Sequence, residues 1–462
     1  MYSTDYYFHK MKKILLLTAL LPVFLYSQND DSIFIKKMSD DILLNGKAYN
    51  WLHHLTKKIG NRISGSDAFA KAMDWGNNTM QQAGADNVIM QECKVPHWIR
   101  GNGDEVKIIS LDNKKQAVVL NALALGNSIG SSITANVIAI KTFDELEKRK
   151  DEIKGKIVFF NYTFNPTYIE TFKAYGEAGK YRYSGPSRAA QYGAVGCLVR
   201  SLSESTDNFP HTGMMKYNED FAKIPAAALG LQDADKLWDL CSKNKVTVSI
   251  KTHGKYLPDA TTYNVIGELK GTTNVDEYIT IGGHLDSWDV GEGANDDGAG
   301  VVQTMEILRV LKAMHYTPKH TIRFVLFANE ENGLNGGKKY AEEAVAKNEK
   351  HLFALETDGG GFTPRGFSLA MKEEQLKKVQ SWMSLLQPYG THKLETGGGG
   401  ADIGPLNEKL KTPVAELLPD SQRYFDIHHT TNDVFENVNK RELLLGAVNM
   451  AALIYLIDKY GL

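Results

Sequence analysis

The second half of the chain alternates short apolar runs with amphipathic segments, and no other feature of the sequence restricts the fold as strongly. Four runs have strand length, and two longer segments have helical spacing. The runs are Tyr278–Gly282, His320–Ala328, Leu352–Glu356 and Val414–Leu418, and the helical segments are Val301–Met314 and Glu442–Tyr460. Strands that alternate with helices favour a parallel sheet covered by helices. We therefore predict an α/β fold with a mostly parallel central sheet flanked by helices.

Histidines and acidic residues follow these predicted strands at the points where the strands end. They are His284, Asp286, Asp296, Glu330, Glu331, Asp358, His428 and His429. In a sheet of this kind, ligands bind in the loops at the carboxyl ends of the strands. Because separate loops bring these side chains to the same edge, we expect them to converge on one site.

The converging side chains are of the types that bind a divalent metal ion. The chain has three cysteines, Cys93, Cys197 and Cys241, which are too few and too scattered for a cysteine-based zinc site or a disulfide framework. Any metal must therefore be held by histidine and carboxylate. Zinc is the commonest metal for that mixture of ligands.

Five of these residues are sufficient for two zinc ions. Two ions about 3.5–4 Å apart need a carboxylate that bridges them, with roughly one histidine and one carboxylate on each side. Asp296 is the predicted bridge. The predicted terminal ligands are His284, Glu331, Asp358 and His429. Glu330 would then be free of metal and able to accept a proton from bound water.

Each element also has an ordinary structural explanation. The segment His284–Asp286 can be a polar turn, and Asp296-Asp297-Gly298 can be a helix cap followed by a tight turn. Glu330-Glu331 can lie on a solvated surface, and His428-His429 can be a buried hydrogen-bonded pair. All of these elements occur together, each at the end of a predicted strand, and this combination favours the metal site.

The motifs around these residues resemble those of the M28 family of co-catalytic zinc peptidases. The resemblance lies in Gly282–Trp288, Gly293–Gly300, Asn329–Leu334 and His429–Asp433, and it spans roughly Tyr263 to the C-terminus. It is strongest to the carboxypeptidase Q branch of that family, whose members are dipeptidases despite the name.

The resemblance implies a role for each site residue. His284 and Asp358 would bind one zinc ion, Glu331 and His429 would bind the other, and Asp296 would bridge them. His429 is preferred to His428 because it opens the last ligand motif of the family. Glu330 would be the general base, and Asp286 would orient the imidazole of His284. The late glycine loop reads Gly400-Ala401-Asp402-Ile403, where many relatives have Ser-Asp-His. This departure concerns substrate contacts and leaves the metal centre intact.

The remaining sequence divides into a leader, two parts of one domain and an insert. Residues 1–27 have the layout of a secretory signal peptide, with Met11-Lys12-Lys13 before the apolar run Ile14–Tyr26. Met11 is a second candidate for the start. We predict that residues 28–114 and 256–462 form the peptidase domain. Residues 115–255 would be a β-rich insert resembling a protease-associated domain, notably at Arg188–Ala194, and Pro258 with Thr261-Thr262 would mark the returning linker.

Charge and composition restrict the partners. There are 53 basic and 55 acidic side chains, for a formal net charge of -2, so no electrostatic argument exists for nucleic acid or an anionic membrane as the main partner. The apolar run near the N-terminus is shorter than the ~20 residues that span a bilayer, and we expect no later span. The expected partner is a peptide substrate. The family resemblance also implies that the chain forms a homodimer.

The predicted function is that of an exported, periplasmic or secreted, two-zinc exopeptidase that hydrolyses dipeptides or short peptides with free termini. A water that bridges the metal ions would be the nucleophile. Three alternatives remain: an aminopeptidase acting on longer peptides, a one-zinc enzyme resembling glutaminyl cyclases, and a non-catalytic relative that has lost ligands. The complete ligand set argues against the last two.

Overall fold

The computed structural model describes residues 30–462, so the predicted signal segment lies outside the described residues. Sixteen strands lie within this range: β1 Asn87–Ile99, β2 Glu105–Leu111, β3 Lys114–Leu120, β4 Ala122–Ala124, β5 Ser131–Ile140, β6 Ile157–Phe160, β7 Gly196–Arg200, β8 Ala226–Leu229, β9 Val246–Thr252, β10 Lys255–Leu269, β11 Asn274–His284, β12 His320–Phe327, β13 Lys350–Glu356, β14 Pro364–Ala370, β15 Lys393–Thr396 and β16 Val414–Pro419.

Fourteen α-helices accompany them within the described range: α1 30–45, α2 Ala48–His54, α3 Asp67–Ala83, α4 Phe143–Lys148, α5 Thr171–Tyr183, α6 Gly185–Gln191, α7 Leu231–Lys243, α8 Ala299–Ala313, α9 Asn335–Ala346, α10 Glu373–Gln380, α11 Met383–Leu386, α12 Gly404–Leu410, α13 Tyr424–Ile427 and α14 Lys440–Tyr460. Single turns of other helix types span Leu55–Ile59, Lys150–Glu152, Ala294–Gly298, Gln387–Tyr389 and Phe435–Asn437.

The first sheet has the strand order β1-β10-β12-β11-β13-β16-β14-β15. Its centre is parallel, because β12, β11, β13 and β16 pair side by side in one direction. Both flanks add antiparallel neighbours. All eight residues of β12 are buried, as expected for a parallel strand with both faces covered. The α/β class with helices on a largely parallel centre is confirmed.

Two helices of the second half form much of the core on one face of this sheet. Helix α8 and helix α14 pack against each other there, and Asn439 begins α14 by accepting backbone N–H groups of Arg441 and Glu442. By length and composition α14 could cross a membrane, which corrects our expectation that no later segment has that property. It is a core helix in this fold, because 83% of its apolar window is buried.

The second sheet has the order β3-β2-β9-β5-β6-β7-β8-β4. Seven of its strands lie within the predicted insert or overlap its start at residue 115, whereas β2 at Glu105–Leu111 comes earlier in the chain. Helices α5 and α6 pack beside its strands and carry buried residues such as Tyr181 and Ala189. The division of the chain at residues 115 and 255 stays a prediction.

The segment predicted as a returning linker is instead part of a long strand. Pro258 and Thr261-Thr262 belong to β10, which runs from Lys255 to Leu269 and pairs with β1. The register of this pair shifts between Val95 and His97, opposite Pro258. A proline lacks the N–H that a regular ladder needs, and it is tolerated where such an irregularity interrupts the ladder.

Candidate metal centre

The predicted site residues lie where the sequence places them, at the carboxyl ends of the parallel strands. His284 is the last residue of β11, and Glu330 and Glu331 come three and four residues after β12. Asp358 comes two residues after β13, and His429 follows the short helix α13. Glu330, Glu331, Asp358 and His429 line one pocket, and His284 lies beside it in contact with Asp358.

The carboxylate of Asp296 lies between the two groups of side chains. One of its oxygens, Oδ1, is 3.1 Å from His284 Nε2, and the other, Oδ2, is 3.1 Å from His429 Nε2. Each imidazole has a second carboxylate partner: Asp358 Oδ1 is 3.2 Å from His284 Nε2, and Glu331 Oε2 is 3.2 Å from His429 Nε2. The five predicted ligands are therefore brought together, in two groups that share Asp296.

The electrostatics of the cluster are those of ion pairs in a buried site. Burial lowers the pKa of His284, but Asp358 and the neighbouring carboxylates outweigh it and raise that pKa well above its usual value. The pKa of His429 is raised in the same way by Glu331 and Asp296 against the effect of burial. Burial raises the pKa of Asp296, but the two imidazoles hold it well below its usual value. A metal ion would displace the imidazole protons, because histidine binds metal in its neutral form.

Glu330 faces the same pocket without contributing to either pair. Burial raises the pKa of its carboxyl group well above the usual value, and Asp358 and Glu331 raise it further while His284 lowers it. Its backbone N–H donates to Asp286 Oδ1 at 3.0 Å. The main chain of this residue is therefore fixed beside the cluster.

Asp286 contacts the site in a different way from the one predicted. Its carboxylate oxygen Oδ1 is 3.7 Å from His284 Nδ1, whereas its backbone carbonyl oxygen is 3.0 Å from that nitrogen. The carboxylate accepts the backbone N–H groups of Glu330 and Glu331, at 3.0 and 3.3 Å. The main chain of Asp286 thus holds the imidazole, and its side chain holds the glutamate turn.

Two further aspartates, for which the sequence pattern predicts no role, fix the loop that carries Asp296. Asp433 accepts the backbone N–H groups of Asn295 at 2.7 Å and Asp296 at 3.1 Å. Asp297 accepts the backbone N–H of His284 at 3.0 Å. Asp433 stands in the last family motif, so a signal for it existed in the sequence.

Arg62 binds the two loops that carry His284 and Asp296, although it belongs to no recognised motif. Its fully buried guanidinium donates to the backbone carbonyls of Leu285 at 2.6 Å, Glu292 at 2.9 Å and Gly293 at 3.0 Å. The arginine therefore connects the segment after His284 to the segment that leads to Asp296. No periodicity or spacing in the first hundred residues indicated this contact.

Replacing Asp433 by Ala is expected to lower zinc affinity by roughly 10–100-fold, the usual cost of losing an outer partner of a metal ligand. The carboxylate holds two N–H groups of the Asp296 loop, so its loss frees that loop. Competition with a chromogenic chelator measures the affinity. Asp433→Asn, which keeps one acceptor oxygen, should fall between Asp433→Ala and the wild type. Unchanged zinc affinity in Asp433→Ala would show that the Asp296 loop keeps its conformation without Asp433.

The second-sheet region also contributes to the site. The backbone carbonyl of Thr212, between β7 and β8, lies 3.2 Å from His429 Nδ1 and fixes the orientation of that ring. His428 stacks on His429 and brings its Nε2 to 3.5 Å from Asp296 Oδ2, so both histidines reach the bridge. The other nitrogen of His428, Nδ1, is buried and has no hydrogen-bond partner within the described chain. The better supported ring is that of His429.

The side chains of the metal cluster line a cavity of about 210 Å3. The metal-binding groups line it together with side chains of α5 and of the α13 region. The lining residues outside the metal cluster are Phe172, Tyr175, Arg182, Tyr183, Met214, Leu334, Tyr424, Phe425 and His428. Ring contacts join α5 to α13, with Tyr175 and Phe425 at 4.6 Å and Phe172 and Phe425 at 4.9 Å between centroids.

Fold and site together define a metal-dependent hydrolase of the α/β class. The sequence model of Peptidase family M28 matches residues 264–454. Mouse carboxypeptidase Q is 32% identical over 415 residues, 89% of this chain and 85% of the relative. Carboxypeptidase Q of Xenopus laevis is 36% identical over 408 residues, 86% of this chain and 84% of the relative.

A solved structure agrees with these sequence relatives. The crystal structure of the peptidase M28 precursor from Shewanella amazonensis is 33% identical, superposes with a TM-score of 0.88, and covers 93% of this chain and 97% of its own. The chain belongs to peptidase family M28. It is a metallopeptidase, and zinc is the metal of its family.

Proposed function

We propose that the protein is an exopeptidase that uses two zinc ions to hydrolyse dipeptides or short peptides with free termini. One observation carries this proposal. The two oxygens of Asp296 face two different imidazoles at 3.1 Å, and each imidazole has a second carboxylate at 3.2 Å. Two histidine–carboxylate pairs around a shared aspartate match the requirement of a two-metal centre.

The donor set fits zinc. The ligand atoms of His284, Asp296 and Asp358 lie within 4.8 Å of one another, as do those of Asp296, His428 and His429. An ion about 2.0–2.2 Å from nitrogen and oxygen atoms can be shared by atoms at such separations. We assign the second ion to His429 and Glu331 rather than to His428, since the ring of His429 has the carbonyl partner that metal-binding histidines usually have.

The residues divide the chemistry between them. Zinc bound at this centre supplies a Lewis acid that polarises the scissile carbonyl and lowers the pKa of water. Glu330 takes the proton of the attacking water and delivers it to the leaving amine nitrogen. Asp286 keeps Glu330 in position through the backbone N–H at 3.0 Å.

The size of the cavity supports a short substrate. Its volume of about 210 Å3 is below the roughly 300–1,000 Å3 of ordinary ligand pockets. Aminopeptidase action on longer peptides is the second candidate, because a groove of about 350 Å3 shares Phe172 with the cavity and could receive further residues. A one-zinc enzyme is disfavoured by the second histidine–carboxylate pair.

Three forms of one dipeptide test this proposal. Zinc-loaded protein beginning at Gln28 is incubated with the free dipeptide, its N-acetyl form and its C-terminal amide, and products are separated by chromatography. Cleavage of the free form, with little of either blocked form, is the expected result. Comparable cleavage of the amide would replace dipeptidase by aminopeptidase action. No cleavage of any form would contradict the exopeptidase proposal.

We also propose that the protein acts after export, in the periplasm or outside the cell. The support is the signal-like layout of residues 1–27, and a mature N-terminus near Gln28 would agree with it. A homodimer stays a prediction.

A further inference from the structure

One arginine lines the same cavity as the metal-binding groups. Arg182 is near the end of α5, and it lines the cavity together with Asp296 and Glu331. Its Nη2 donates to Tyr175 Oη at 2.6 Å, and its Nη1 donates to the backbone carbonyl of Thr212 at 3.4 Å. The guanidinium is thus held in place by neutral partners.

Arg182 forms no ion pair with a carboxylate within the described part of the protein. Within residues 30–462, the acceptors of its guanidinium are the Tyr175 hydroxyl and the Thr212 carbonyl, and neither is a carboxylate. Its Nε is buried without a hydrogen-bond partner in the same range. By contrast, Arg100 binds Asp289 at 2.6 Å, and Arg323 binds a glutamate at 2.7 Å. A cation without a counter-ion in a cleft is suited to an anionic group of a ligand.

The guanidinium is also close to the metal centre and closely fitted. The Thr212 carbonyl that accepts from Arg182 also lies 3.2 Å from His429 Nδ1, so one carbonyl separates the two side chains. A Cβ added to Gly213 would lie 2.5 Å from the Cζ and Nη1 of Arg182, so the glycine allows this close packing. The position of the cation relative to the centre is therefore fixed before a substrate binds.

We propose that Arg182 binds the free C-terminal carboxylate of the substrate. In a dipeptide, that carboxylate is three bonds from the carbonyl carbon that water attacks, so its partner must lie in the same small cavity as the metal centre. The planar guanidinium matches a carboxylate in a two-point contact. This inference rests on the proposed exopeptidase function and specifies it: the residue on the leaving side of the scissile bond is the last residue of the substrate.

The experiment compares the wild type with Arg182→Met and Arg182→Lys. Arg188→Met, which removes an exposed arginine of the neighbouring helix α6, is the matched control. The substrates are one dipeptide and its C-terminal amide, and zinc per chain is measured for every variant. The wild type should prefer the free dipeptide in kcat/KM by at least about thirtyfold, the lower range for a desolvated charge pair.

Arg182→Met should reduce that preference to within about threefold, chiefly through the KM of the free dipeptide, at unchanged zinc content. Arg182→Lys should lie between, because it keeps the charge but loses the planar fork. An equal loss of kcat/KM for both substrates would overturn the inference, because Arg182 would then only connect α5 to Thr212. An unchanged preference for the free dipeptide in Arg182→Met would also overturn it.

Cleavage of neither peptide by the zinc-loaded wild type would contradict the proposed function but still leave Arg182 testable. Calorimetric titration with the same two peptides then decides the question. Tighter binding of the free form that disappears in Arg182→Met supports the carboxylate contact, and equal binding of both forms by the wild type overturns it.

Discussion

Replacing Glu330 by Gln is expected to leave the zinc content unchanged and to lower kcat by roughly 10²–10⁴-fold, the usual contribution of general acid–base catalysis. The amide has nearly the shape of the carboxylate but cannot accept the proton of the attacking water. The backbone contact of Glu330 with Asp286 does not involve the side chain, so the fold around the site should be retained. Steady-state kinetics and elemental zinc analysis measure the two quantities.

Glu342→Gln is the matched control for this variant, since Glu342 is exposed on α9. It should retain wild-type turnover. Retained turnover in Glu330→Gln would remove Glu330 from the chemistry. A loss of zinc in that variant would assign it to the metal instead.

Replacing Asp296 by Ala is expected to reduce the zinc content from two ions per chain to one or fewer and to abolish turnover. Asp296 is the carboxylate that both imidazoles share, at 3.1 Å on each side. Without it, each remaining pair offers one histidine and one carboxylate, two fewer than the four ligands that zinc usually takes. Zinc per chain after dialysis is the measurement.

Asp276→Ala on the exposed start of β11 controls for the loss of an aspartate elsewhere. It should keep both ions. Two ions per chain in Asp296→Ala would contradict the bridging role, whatever the effect on activity.

The central sheet could be predicted because its strands are local and strongly apolar. The predicted run His320–Ala328 became β12 at His320–Phe327, and Leu352–Glu356 became β13 at Lys350–Glu356. Polar residues at the ends of such strands must share an edge, so convergence on Asp296 followed from the topology. The family resemblance then supplied the division into two pairs.

The parts that could not be predicted depend on contacts between residues far apart in the chain. The carbonyl of Thr212 reaches His429 across 217 positions, and Arg62 reaches Leu285 across 223. Every residue has a backbone carbonyl, so the sequence does not show which carbonyls accept a hydrogen bond. It therefore cannot distinguish Arg62, which donates to three of them, from any other arginine. The role proposed for Arg182 could not be predicted for the same reason, because it depends on the absence of a carboxylate partner among the described residues.

Pro258 shows a different kind of error. Pro258 and the Thr261-Thr262 pair locally indicate a linker, but β10 pairs with β1 on both sides of the proline. The register is irregular opposite the proline, so its missing N–H does not leave a gap in a regular β-ladder. Tertiary pairing therefore overrode a local signal.

The most direct test of the account is the number and position of zinc ions in crystals of the zinc-loaded protein, measured by anomalous scattering at the zinc edge. Two peaks per chain are expected, one between His284 and Asp358 and one between His429 and Glu331, with an oxygen of Asp296 bound to each. A single peak, or a second peak bound by His428 in place of His429, would contradict it.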